Sequence, residues 1–203
     1  MLDETLLIKT LPDLYRALDQ LYQGIEKDCA ECQDPDCMGY VWLLKEEGDR
    51  LYEIGVPLVQ INGGPTFIHS FPQNRDGSLN PSEKYPPCSQ LCADSRRCSI
   101  YPDRPMVCRL YPLGFETGSD GTIHLALHLD CLHIRRLEER GALYDFERRA
   151  LGLFNSISPG LLAEIADSYR KVDAISVFPD GENSYRNLKE VMNRVQVQGR
   201  PGQ

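Results

Sequence analysis

The sequence predicts an α+β fold: a loop-rich, cysteine-bearing middle with short strands and hairpins, flanked by N- and C-terminal helices. Three observations predict it. Apolar residues recur at helical spacing near the N-terminus and again after residue 131. Between those stretches, strand-like segments face each other across glycine-containing turns. All eight cysteines fall from Cys29 to Cys131, and the helical C-terminal part contains none.

Taken in order, Thr10 is a good N-cap and Pro12 suits a first helical turn. Leu11, Leu14, Tyr15, Leu18, Leu21, Tyr22 and Ile25 then mark one apolar face, predicting a single helix that ends near Asp28, where Cys29 opens the first cysteine group. The stretch CAECQDPDC reads as a loop, MGYVWLL as a short strand or helix start, and KEEGDRLYEIG as a short helix. PLVQINGGPTFIHSF carries β-branched and aromatic residues on both sides of Asn62-Gly63-Gly64, which predicts a hairpin. Residues 72–90 read as a long irregular loop, a length that in a compact domain goes with function or a tether.

A second hairpin is expected where PLGFE and TIHLALHL flank Thr117-Gly118-Ser119-Asp120-Gly121. In its second arm Ile123, Leu125, Leu127 and Leu129 share one face, with His124 and His128 on the other. From Cys131 the pattern is helical through LHIRRLEERGALYDFERRALGLF, again after Ser158-Pro159, and again in NSYRNLKEVMNRV. The expected organisation is an N-terminal helix (1–28), a cysteine-cluster domain (29–131), a C-terminal helical segment (132–198) and a disordered tail (199–203).

The 203 residues suit one domain or a domain with a helical annex, and 41% hydrophobic residues suffice for a core. A formal charge of −8 argues against broad phosphate-backbone binding, so no nucleic-acid partner is expected. The N-terminus lacks the basic and apolar regions of a signal peptide, and no stretch reaches the roughly 18 apolar residues of a membrane span. The expected location is therefore the cytoplasm, off the membrane.

In a reducing compartment clustered cysteines bind metal or do redox chemistry more often than they form disulfides. Disulfides are the alternative that secretion would bring. Cys29-x2-Cys32 has the spacing at which two thiolates converge on one tetrahedral ion, and Cys37 is close enough to fold back as a third donor. Further ligands must come from Cys88, Cys92, Cys98, Cys108 and Cys131, so an ion here closes a long loop and staples the domain. The stretch CSIYPDRPMVCRLYP sets Arg104 and Arg109 beside Cys98 and Cys108 on a backbone stiffened by Pro102, Pro105 and Pro112. Guanidinium groups offset thiolate charge without competing as ligands, and Arg96 and Arg97 are possible helpers. The plainer reading pairs these arginines with surface acids. Tyr101 and Tyr111 are either buried donors to sulfur or core, and Cys92 is either a ligand or a small buried hydrophobe. His69, His124 and His128 read as ordinary strand residues, while His133 either ligates or caps a helix.

The string Cys98-Ser-Ile-Tyr-x2-Arg104-Pro105-x2-Cys108-Arg109-x-Tyr-Pro112 resembles the signature of the YkgJ-type CxxCxxCC cysteine-cluster family, a zinc- or iron-chelating domain class. Cys29 and Cys32 match its opening pair, Cys88 its middle cysteine, and Cys131 its distal one. The doubled cysteine of the family is absent, Cys37 stands at a longer spacing, and Cys92 is additional. The resemblance spans about residues 29–131 and implies metal chelation with no defined activity. Flagellin lysine N-methylase looks like a relative with an iron–sulfur cluster. This chain has Cys88-x3-Cys92-x5-Cys98 rather than a Cys-x3-Cys-x2-Cys radical motif, and no G-x-G-x-x-G loop.

Two functional readings follow. In the first, zinc or iron organises the fold for structural use or for a protein partner. In the second, an iron–sulfur enzyme or redox protein acts on a protein substrate or transfers electrons. A thiol-based redox sensor is a third. Whether the chain is an enzyme, and its oligomeric state, are left open by the residues.

Overall fold

The structure is a computed structural model that describes residues 7–31, 40–61, 63–71, 87–95, 97–175 and 185–192. It is α+β, as the sequence predicts, with helices and two small antiparallel sheets. Two compact units divide the chain. The first comprises Met1–Glu31, Leu110–Tyr169 and Asn183–Gln203, and the second comprises Cys32–Arg109 and Arg170–Glu182. Among the described residues no helix is long and apolar enough to cross a membrane.

In the first unit, α1 (Leu11–Leu21) starts where Thr10 Oγ1 accepts the Asp13 N–H, with Pro12 in the first turn. Leu11, Leu14, Leu18 and Leu21 are its buried stripe. The single helix expected to Asp28 is instead two. Gly24 takes φ +93°, which a Cβ-bearing residue adopts only with strain, and α2 (Ile25–Glu31) restarts beyond it. Cys29 therefore sits inside a helix rather than at the start of a loop.

The second predicted hairpin forms as β4 (Leu113–Thr117) and β5 (Ile123–His128), paired from Leu113–Leu127 to Thr117–Ile123. The segment expected as a last helix is a strand, β6 (Tyr185–Met192), on the other edge of β5. Its apolar residues Leu188 and Val191 fit a helical period, but the open edge of β5 offers a row of backbone partners that decides the outcome. Arg186 pairs with Glu147, and Lys189 Nζ donates to Asn155 Oδ1 at 2.5 Å. The helical run expected from Cys131 is instead two helices, α5 (Leu132–Glu139) and α6 (Leu143–Ser156), parted at Gly141 with φ +68°. Helix α7 (Pro159–Asp173) follows as expected, and the Ser158 hydroxyl accepts the Leu161 N–H at 3.4 Å to open it.

Sandwiched in a sheet, β5 buries Ile123, Leu125, Ala126 and Leu127. His128 packs edge-on to Tyr111 at 5.2 Å and Tyr185 at 4.3 Å, over Gly114, where a Cβ would meet its Nε2 at 2.9 Å. Burial holds its imidazole neutral and lowers its pKa from 6.5 to about 4. Unfolded chains bind that proton near 6.5, so His128 contributes stability that is complete above that pH and is lost as the pH falls toward 4. Between about pH 7.5 and 4.5, denaturant unfolding should show wild type losing about 2–3 kcal/mol more than His128→Asn.

In the second unit, β1 (Trp42–Leu43), β2 (Leu58–Gln60) and β3 (Thr66–Ile68) form a sheet in the order β1-β3-β2. The expected Gly63-Gly64 hairpin joins β2 to β3, and the strand alternative holds at β1. Helix α3 (Lys45–Glu53) lies between β1 and β2 in sequence. Leu43, Leu51, Val56, Ile68 and Cys88 pack as one buried cluster, joined by Leu91 and Ile100. The loop expected over residues 72–90 lies largely outside the described residues, as does the tail at 199–203.

Candidate metal centre

Cys88 anchors the second unit's cysteines, buried in the apolar cluster just described. The chain turns after it, with the Leu91 N–H bonded to Cys88 O at 2.9 Å, and Leu91 pairs antiparallel with Cys98. The Cys92 N–H reaches Arg97 O at 2.9 Å, so a narrow loop runs out and back between them. Neighbouring positions on an extended chain alternate in direction. Hence Cys98 is half-buried and faces the same way as Leu91, whereas Cys92 is exposed. The reading of Cys92 as a small buried hydrophobe is corrected.

The two turn cysteines sit in opposite electrostatic settings. At Cys88 burial raises the thiol's pKa, opposed by the backbone N–H of Gln90 and raised further by the neighbouring Cys98; Ser70 and the Leu91 amide also donate. At Cys92 the Ser95 hydroxyl, then the Ser95 and Asp94 amides, hold the pKa below its ordinary value. Burial thus favours the thiol form of Cys88, while the donors around Cys92 favour its thiolate. A cation beside Cys88 and Cys98 would relieve their mutual repulsion. The donor set therefore fits a thiophilic ion such as Zn²⁺ or iron.

Cys108 lies in α4 (Met106–Leu110), half-buried. The loop between Cys98 and Cys108 is braced by its own arginines. Arg104 Nε donates to Tyr101 O at 3.1 Å, and its guanidinium stacks 3.7 Å over the Tyr101 ring. Arg109 Nε donates to Arg104 O at 2.9 Å and Nη2 to Pro102 O at 2.5 Å. Arg104 thereby braces the 3₁₀ turn Tyr101–Asp103 from within, and Arg109 closes it onto α4. Arg50 ties the same turn to α3 through Asp103 Oδ1 at 2.8 Å and Asp103 O at 2.9 Å. Tyr101 is exposed, which corrects the expectation of a buried donor, and Tyr111 is half-buried against His128.

Beneath this loop Glu47 is the acid that sequence reasoning passed over. It is 1% exposed, and accepts the Leu44 N–H at 2.9 Å and the Met106 N–H at the start of α4. Its position three residues into α3 is the one readable signal, since a Glu there reaches back to the N-cap amide.

In the first unit Cys131 is buried at the N-cap of α5. Beside it lies Tyr22, whose burial pushes its phenol well above the ordinary tyrosine range; it accepts the Leu113 N–H, and the charge of Cys131 pushes it higher. Tyr22 Oη donates to Leu110 O. Two residues past Cys131, His133 Nδ1 lies 2.6 Å from Asp28 Oδ2, while Arg136 Nη1 donates to Asp28 Oδ1 at 2.5 Å and Nη2 to Glu31 Oε2 at 2.5 Å. Burial opposes ionisation of Asp28, but these partners outweigh it and hold the carboxyl below its usual range. The residue after Asp28 in α2 is Cys29.

None of Cys88, Cys92, Cys98, Cys108 and Cys131 is in a disulfide. Among the described residues no three of the Cys, His, Asp and Glu side chains surround one point; Cys32, Cys37 and the Cys29 side chain lie outside those residues. His69 follows β3, and His124 and His128 lie on β5, as strand residues.

An α+β chain whose cysteines sit on turns and in or beside short helices defines a cysteine-cluster protein. The chain belongs to the CxxCxxCC family, described as a candidate zinc- or iron-chelating domain, which it matches over residues 26–132. Metal binding, by zinc or iron, is what that membership supports. No curated protein and no solved structure matches the chain.

Proposed function

We propose that this protein holds zinc or iron through the thiolates of Cys29, Cys32, Cys37, Cys88, Cys92, Cys98, Cys108 and Cys131. The metal closes the long segments between these residues and so organises the domain, for structural use or to dock a protein partner. The observation that carries this reading is the match to a zinc- or iron-chelating family over residues 26–132, the stretch that holds all eight cysteines. At exposed Cys92, donors from Ser95 and Asp94 lower the thiol's pKa and favour the thiolate that a metal binds. Arg104 and Arg109 brace the loop that presents Cys98 and Cys108, and their charge offsets that of the thiolates. A reducing cytoplasm suits cysteines held outside disulfides.

The test is the metal and acid-labile sulfide content of protein purified without oxygen. Zinc or iron without sulfide is expected. Iron with matching sulfide would make the bound group an iron–sulfur cluster and move the function to electron transfer or modification of a protein substrate. Absence of both metals overturns the proposal.

A further inference from the structure

The Asp28–His133 pair lies outside the eight thiols, and its geometry asks for a purpose. Asp28 is 7% exposed, and its two carboxylate oxygens are taken by His133 Nδ1 and Arg136 Nη1. The ring of His133 is held from two sides, by Asp28 and by Phe146 edge-on at 6.1 Å. An imidazole whose Nδ1 faces a carboxylate carries its proton there and presents the Nε2 lone pair. Nε2 has no hydrogen-bond partner among the described residues. Both helices joined by this pair have a cysteine at hand: Cys29 follows Asp28 in α2, and Cys131, the N-cap of α5, precedes His133 by two residues.

We propose that His133 Nε2 is a metal ligand, two residues beyond Cys131, with Asp28 as the residue that positions its ring. The inference rests on the metal-binding reading above and adds a nitrogen to an otherwise all-sulfur donor set. A carboxylate on the far nitrogen fixes the ring's direction and makes it a better donor, and losing such a partner costs about 10–100-fold in metal affinity. Arg136 holds the carboxylate in register for that task. A purely structural Asp28–His133–Arg136 network would leave the bound metal's spectrum unchanged when His133 is replaced.

The experiment reconstitutes the full chain with Co²⁺ under anaerobic conditions and reads the visible d–d bands, together with affinity by competition against Zn²⁺. Thiolate number sets the intensity of sulfur-to-cobalt charge transfer, and nitrogen in place of sulfur shifts the d–d bands to higher energy. His133→Gln is expected to change the d–d envelope and to weaken binding by about tenfold or more. Asp28→Asn should weaken binding by about tenfold with the envelope unchanged. His133→Cys should restore tight binding with bands shifted to lower energy, a readout that also stands if the glutamine variant fails to fold. Wild-type spectra in both His133 variants overturn this inference and leave the thiolate reading intact. A wild-type chain that takes up no Co²⁺ overturns both.

Discussion

Cys98→Ser and Cys108→Ser each lose bound metal and melt about 10–15 °C below wild type. The two residues end the braced loop, one paired to Leu91 and the other inside α4. A structural metal site contributes about 10–16 kcal/mol of apparent folding energy in the smallest domains, so losing one ligand of a closed set costs several kcal/mol. For a chain of this length each kcal/mol moves the midpoint by about 2–4 °C. Serine is close to cysteine in size, and both sites are only half-buried. In the metal-free chain the same changes should therefore shift the midpoint by no more than about 3 °C. The gap between loaded and metal-free protein isolates the metal's part. Normal melting with undiminished metal in both variants would show that neither thiol is a ligand.

Glu47→Ala is expected to cost about 3–5 kcal/mol, independently of metal. The carboxylate is fully buried and joins the starts of two helices through the Leu44 and Met106 amides. Hydrogen bonds to a charged acceptor contribute about 1.5–3 kcal/mol each, and truncation leaves both amides buried without it. The helix dipoles of α3 and α4 add to the same carboxylate. Glu46→Ala, one residue earlier and exposed, should stay within about 0.5 kcal/mol. Urea midpoints of the two variants, measured side by side, check the contrast; equal midpoints would remove Glu47 as the brace under α4.

Where local chemistry decides structure, the sequence was legible. The Thr10 cap, the turns at Gly63 and Gly121, and the Ser158-Pro159 helix start all appear where their residues point. Two errors have one cause, since an apolar period survives a break that backbone geometry imposes. The helical period runs straight across Gly24, whose positive φ ends α1. Leu188 and Val191 keep a helical spacing while β5 recruits them as a strand. At the site the cysteines and the loop arginines were readable from spacing, but what the guanidiniums bond to was not. Asp28 meets His133 across 105 residues and Glu47 meets Met106 across 59, and nothing local to either partner signals the other. The opposite settings of Cys88, buried, and Cys92, exposed, are likewise a property of turn geometry.

The most direct measurement is X-ray absorption at the metal edge on protein isolated without oxygen. The account predicts a first shell dominated by sulfur, near 2.3 Å for zinc. A first shell of oxygen and nitrogen alone would contradict it, because the thiolates would then not be what holds the ion.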